Sequence, residues 1–472
     1  MRILLALVLA LMALPANAET LQAAMIRAYQ TNPELRREQA KLRAIDEGVP
    51  LAKSGQRPSV DLGAAIGQKK FNQGAVDNDS TPRNLGLSLT QPLYKGGSIS
   101  SSISSAEKAV LAARASYDDA EQALFLNVAT SYFDVWLYQA TLKINKKNEE
   151  VLKQELQAAR DRFAVGEATR TDVAQADSRL AGAIASRIES EGLLANAKAT
   201  YEKVIGNPPS ELAAPDVNFP IPARLDEMID LAQANNPKVI SAKYTAEGAE
   251  QDIATAEGAL LPEIHLEANA DRAWDSSVAA TTGKTDTASI MARLTMPLYR
   301  GGADYARTRA AKETASQRRV EIRSALDAAR ETAVRAWESL NTAKATIKSR
   351  QKQVEAAQLA FEGVKEESRV GTRTILDRLN AEAEALQARV NLVQSQRDKA
   401  VALFAVKAAI GELTAQKLKL PITPYDPTAH YEATKDKWIG LGASEDPEFK
   451  NPEVTPEPSG EPAVETSPKT PL

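Results

Sequence analysis

The sequence predicts a membrane protein of mixed α+β class: a β-barrel to which each chain gives four strands, continuous with a long α-helical coiled-coil tunnel. Three observations predict it. The chain opens with an export signal, and no later apolar run is long enough for a membrane helix. The rest is one unit written twice. Each unit carries two strands of alternating polarity and two long helices of heptad spacing.

The export signal is residues 1–18. Arg2 gives a positive start, Ile3 to Leu14 is apolar, and Ala16-Asn17-Ala18 is a small-x-small cleavage site, so the mature chain is expected to begin at Glu19. There is no cysteine. That excludes disulfides, thiol nucleophiles, Cys-ligated metals and a lipidated N-terminal Cys. The net charge is −4 with no basic stripe, so nucleic acid is not a partner. Aromatic residues are only 5 %, which suits thin, closely packed helices.

The repeat sets the domain plan. Gln91-Pro92-Leu93-Tyr94-Lys95-Gly96-Gly97 returns as Met296-Pro297-Leu298-Tyr299-Arg300-Gly301-Gly302. The shift, from Gly96 to Gly301, is 205 residues, and Val165-Gly166, Asp172 and Ile205-Gly206 return at the same shift. Asn32-Pro33 returns as Asn236-Pro237, shifted by 204. The first repeat is placed at 19–215 and the second at 216–420.

Each repeat begins with a helix, near Glu34–Ser54 and Lys238–Gly258, that a proline ends (Pro58, Pro262). Two strands follow. Val60, Leu62, Ala64 and Ile66 share one face of the first, and Leu85, Leu87 and Leu89 one face of the second. In the second repeat Ile264, Leu266, Ala268 and Ala270 oppose Glu263, His265, Glu267 and Asn269, while Ile290, Ala292 and Leu294 oppose Ser289, Met291 and Arg293. Period two gives one apolar and one wet face. A soluble antiparallel sheet has the same period, but each strand reaches the length of about 9–11 residues that a tilted strand needs to cross a bilayer. The tips, Asn72 to Arg83 and Asp275 to Lys284, read as solvated loops.

The Pro-Leu-Tyr-x-Gly-Gly turn starts a long helix that Val-Gly ends, and a last helix runs back. Heptad steps join Val110, Ala113, Tyr117, Ala120 and Leu124; Ala329, Ala333, Ala336, Leu340, Ala343 and Ile347; and Leu376, Leu379, Ala383, Leu386, Val390 and Val393. A four-helix bundle would show them too, but not the strands or the repeat. Ser98 to Ala164 would span about 100 Å as one helix. From Pro421 the chain changes: ten of its last 52 residues are proline, and 421–472 is expected to be largely disordered.

Four strands cannot close a barrel in lipid. Two chains would give eight strands around a filled interior; three would give twelve and a bore. In the duplication, the Gln-Pro-Leu-Tyr-x-Gly-Gly turn and the Val-Gly-x-x-x-x-x-Asp tips, Glu19 to Leu420 resembles the TolC family of outer-membrane efflux and type I secretion channels. The resemblance implies a homotrimer in outer-membrane lipid, with a twelve-stranded barrel and a periplasmic tunnel. It also implies a periplasmic adaptor and an inner-membrane ABC exporter or proton-driven efflux pump as partners. The absence of an N-terminal Cys separates the chain from the lipid-anchored branch. Carried over by motif, Asp377 and Asn380 fall at the channel entrance, Asn380 where the family has a second acid. Asp172 and Arg373 match a closed-state latch, with Ser368 where that latch has a tyrosine. Gly166 and Gly371 mark the helical hairpin tips.

The two histidines, His265 and His430, have no acid–nucleophile spacing, and Gly96-Gly97 lacks the Lys-Ser/Thr of a phosphate loop. No catalytic set and no cofactor site is expected. The alternative to a channel is a soluble periplasmic coiled-coil adaptor or scaffold. No lipoyl-like or compact β-barrel domain of the kind an adaptor needs is present in the sequence.

Overall fold

In the computed structural model, residues 19–73, 76–214, 217, 219–275 and 283–442 are described. The export signal lies outside them. The first repeat holds α1 (Leu21–Thr31), α2 (Pro33–Asp46), α3 (Gly48–Ser54), β1 (Ser59–Ile66), β2 (Lys69–Gln73), β3 (Val76–Ser80), β4 (Arg83–Lys95), α4 (Ser98–Ala164) and α5 (Arg170–Ile205). The second holds α6 (Leu225–Asn235), α7 (Pro237–Gly258), β5 (Glu263–Trp274), β6 (Lys284–Thr295), α8 (Ala303–Arg369) and α9 (Ile375–Ala409), and α10 (Ala429–Thr434) follows.

The short helices α1 and α6 were not foreseen. The Asn-Pro pair separates them from the helix that follows. The Asn32 carboxamide oxygen accepts from Glu34 N at 2.9 Å and the Asn236 oxygen from Lys238 N at 3.0 Å, with proline in the first helical position. Each long helix, α4 and α8, is 67 residues, and each starts behind a glycine with positive φ, Gly97 at 78° and Gly302 at 83°.

Four strands form one antiparallel sheet in the order β1-β4-β5-β6. Its register puts Val60 opposite Leu89, Leu89 opposite Ala268, and Ala268 opposite Ile290, so one apolar face runs across the sheet. Asp61, Ser88, Asn269 and Ser289 line the other. The outer edges of β1 and β6 have no partner strand within the described residues. Two expectations fail here. The tip at Asn72 to Arg83 is not a plain loop, because β2 and β3 pair as a further hairpin. The Pro-Leu-Tyr segment does not open the helix in the first repeat; it extends β4, paired to β5 across a register shift at Pro92, where proline's missing amide is tolerated. Of the second tip, Asp275 to Lys284, residues 276–282 lie outside the description.

The core sits halfway along the helices, where the short helices pack on the long ones. Phe125, Val128, Tyr132 and Phe133 of α4 close on Tyr29, Leu42, Tyr201 and Phe404. A second cluster joins Met228 and Ala232 to Ala333, Leu340, Val406 and Ile410. Away from these, alanine seams such as Ala357 with Ala385 and Ala388 hold the hairpins. Leu376, Leu379, Ala383 and Leu386 line a groove against α4 and α5, so that stripe packs hairpin on hairpin and not α9 on α8.

Residues 421–442 are not disordered as the proline content suggested. They form a strap along α2: Tyr425 N donates to Tyr29 Oη at 2.9 Å, and His430 Nδ1 lies 3.1 Å from the buried Asp46 carboxylate. Residues 443–472 lie outside the description.

Below the strap, Glu121 is buried on α4 and accepts from Ala415 N at 2.6 Å. Burial pushes its pKa up to about 7. A raised folded-state pKa stabilises below the unfolded value and loses that stabilisation as pH rises through about 7. Acidification from pH 8 to 5.5 is therefore expected to add about 2 kcal/mol through this group. Glu121→Gln should remove that gain and melt above the native protein at pH 8. Equal pH slopes in thermal melts of the two proteins would refute it.

Candidate functional site

The two hairpin tips are built alike. Gly166 has φ 84° and Gly371 φ 83°, a left-handed turn that ends α4 and α8. Beyond it the chain re-enters a helix through a capping box. Asp172 N donates to Thr169 Oγ1 at 3.2 Å, and Thr169 N donates to Asp172 Oδ2 at 2.8 Å. At the other tip Asp377 N donates to Thr374 Oγ1 at 3.1 Å, and Thr374 N to Asp377 Oδ2 at 3.1 Å. These bonds hold both carboxyls below the usual carboxylate range: for Asp172 the Thr169 backbone amide leads, and for Asp377 the Thr374 hydroxyl, with Arg373 adding a smaller pull. Both acids carry full charge at neutral pH.

Within one chain Asp172 and Arg373 are not brought together. Arg373 Nε lies 2.9 Å from Glu367 Oε2, inside its own tip. The side-chain oxygen of Asn380 accepts from Arg179 of α5. Arg378 pairs with Glu155 of α4, so its charge is spent between the hairpins and does not dilute the potential of Asp377. Leu152, Ala183 and Leu379 pack beside these links. Asp377 and Asn380 thus sit one helical turn apart at the same end of α9, on a tip tied to the α4–α5 hairpin.

The sequence reading missed Glu367, Glu155 and Arg179, whose roles depend on which hairpin lies beside which. It also missed the boxes, although Thr-x-x-Asp stands in both tips.

At the other end the sheet's polar face carries Asp61, Glu263, His265, Glu267, Asp271 and Arg293, with Arg293 and Glu267 joined by two bonds of 2.9 and 3.1 Å. Among the described residues no helix is long and apolar enough to cross a membrane. No His/Cys/Asp/Glu group among them could hold a metal ion.

A family model described as "Outer membrane efflux protein" matches residues 25–207 and again residues 228–412. The model thus matches the chain twice, once in each half. The chain is 35 % identical over 426 residues to the outer membrane efflux protein BepC of Brucella suis biovar 1, covering 90 % of this chain and 92 % of that one. It is 26 % identical over 415 residues to the outer membrane protein TolC of Vibrio cholerae serotype O1, covering 84 % and 92 %. The crystal structure of the Campylobacter jejuni CmeC outer membrane channel superposes with a TM-score of 0.76 at 18 % identity, covering 88 % of this chain and 89 % of that chain.

Proposed function

The chain belongs to the outer membrane efflux protein family, and from that premise we propose a homotrimeric channel-tunnel that gives efflux or type I secretion systems their exit across the outer membrane. It is a transport channel and not an enzyme. The sheet spans the lipid; the helices run into the periplasm, where the tips meet a periplasmic adaptor and an inner-membrane ABC exporter or proton-driven pump.

The observation that carries the trimer is the packing of one repeat on the next. Within the chain β4 pairs with β5, and α7 is flanked by both α4 and α8. The counterpart of α7, α2 with α3, packs on α4 and on the strap helix α10, with no second long helix beside it among the described residues. The open edge of β6 and the open flank of α8 match the open edge of β1 and the open flank of α2. Repeating the internal contact between chains closes a ring, and three chains give twelve strands and a bore. The division into repeats at 19–215 and 216–420 is supported by the doubled family match.

At the periplasmic end, three copies of Asp377 ring the entrance with Asn380 next to them. On closure Arg373 exchanges Glu367 for Asp172 of the adjoining hairpin. Gly166 and Gly371 form the tips.

The test is mass in detergent with conductance in planar bilayers. Three chains and a cation-preferring pore are expected. Asp377→Ala should weaken block by a trivalent cation. Asn380→Asp should strengthen it, the more so once Arg179 is replaced by glutamine. A stable monomer would sink the trimer; block indifferent to Asp377 would move the entrance elsewhere.

A further inference from the structure

Isolated exposed apolar side chains are ordinary, but a run of them on a built turn is not. The strap ends in one. Trp438 is 66 % exposed, Ile439 90 % and Leu441 105 %, with Gly440 between at φ 126°. Lys437 Nζ donates to Gly442 O at 3.1 Å and closes the turn.

Its position is fixed by the residues that lead into the sheet. Arg57, two residues before β1, donates from Nη1 to Lys437 O at 2.8 Å and places its guanidinium 4.8 Å from the centre of the Trp438 ring. Lys53, at the end of α3, lies 2.7 Å from Asp436. The turn is therefore held at the foot of β1, where the exposed apolar band of Val60 and Leu62 begins. Lys53, Arg57, Lys435 and Lys437 surround it, against the acids Asp436 and Glu432. A tryptophan with aliphatic neighbours and a basic collar is the composition found at a membrane–water boundary. The segment that follows in the sequence, 443–472, carries seven acids and few large apolar side chains.

We propose that Trp438–Leu441 is a membrane-interface anchor that seats in the phospholipid leaflet on the periplasmic side of the barrel, with Arg57 and Lys437 at the anionic headgroups. The strap thereby fastens the middle of the molecule to the lipid, since its other end is tied to α2 through His430 and Asp46.

The proposal rests on the barrel reading, and the test separates the two. Full-length trimers are placed in phosphatidylethanolamine–phosphatidylglycerol vesicles with bromine near the headgroup end of the acyl chains. Trp274, on the apolar face of β5 at the far rim, reports the barrel. Comparing the native protein with Trp438→Phe and with Trp274→Phe isolates the emission of each. The expected result is loss of Trp438 emission to brominated lipid and little loss to aqueous iodide. In the Ile439→Ser/Leu441→Ser variant the same emission should turn from lipid-quenched to iodide-quenched. Trp274 quenched by lipid while Trp438 answers only to iodide would overturn the anchor alone. Trp438 shielded from both quenchers would also overturn it, assigning the turn to a second copy of the chain. Neither tryptophan meeting lipid would overturn the barrel.

Discussion

Gly96→Val is expected to abolish the assembled channel. Gly96 sits at φ 58°, where a β-branched residue is an outlier, and a Cβ there would lie 2.2 Å from the Gly258 carbonyl oxygen. Gly258 is no more forgiving, since its own Cβ would fall 2.8 Å from Gly96 O. Two backbones touch at this point: the exit of β4 into α4 and the exit of α7 toward β5. No flexible side chain can yield, so the repeats must part. Backbone strain and the displaced contact together cost about 3 kcal/mol or more. The comparison is Gly192→Ala on α5, where nothing lies within 4 Å and the helix gains about 0.5–1 kcal/mol. Trimer yield after membrane extraction checks both. Normal yield for Gly96→Val would mean that the junction is far looser than drawn.

Val320→Glu is expected to stop assembly while leaving the chain helical. Val320 on α8 is 66 % exposed in the single chain, but its equivalent in the first repeat, Ala115, is 4 % exposed because α4 is covered there. If neighbouring chains repeat the internal contact, Val320 is covered as Ala115 is. An unpaired carboxylate in such a place costs about 3–5 kcal/mol, and a ring incurs it at every interface. Size in detergent should fall from three chains to one, with the helical circular dichroism kept. An intact trimer would show that α8 leaves this face in water.

Much of this was legible in the sequence, because the signals lay in spacing. A constant shift from Gly96 to Gly301 marks the repeat, and Gly97 and Val165 bracket a 67-residue helix. What stayed hidden depends on neighbours. Pro92 reads as a breaker until β5 supplies a partner across an irregular register. Leu376 and Leu386 read as a heptad stripe, but periodicity names a face and not what it meets, and here it meets α4 and α5. The prolines of 421–442 hid a strap whose anchors are scattered contacts to Asp46, Tyr29, Lys53 and Arg57, too sparse to make a pattern. At the tips the acids were legible as positions. The partners of Arg373 and Asn380, Glu367 and Arg179, were not, because they follow from side-chain reach; Thr374, which caps Asp377, stood in the Thr-x-x-Asp pattern and went unread.

The unpaired edges of β1 and β6 also bear on heredity. No copy of the chain closes a barrel by itself, so every pore draws its subunits from a common pool. A cell making equal amounts of a sound copy and one spoiled at a single edge would assemble only about one pore in eight from sound subunits alone, by random draw into the proposed three-membered ring. A lesion at either edge should therefore behave as dominant, and excess sound protein should be needed to dilute it. A lesion that stops the chain from being made would be recessive, since it never enters the pool.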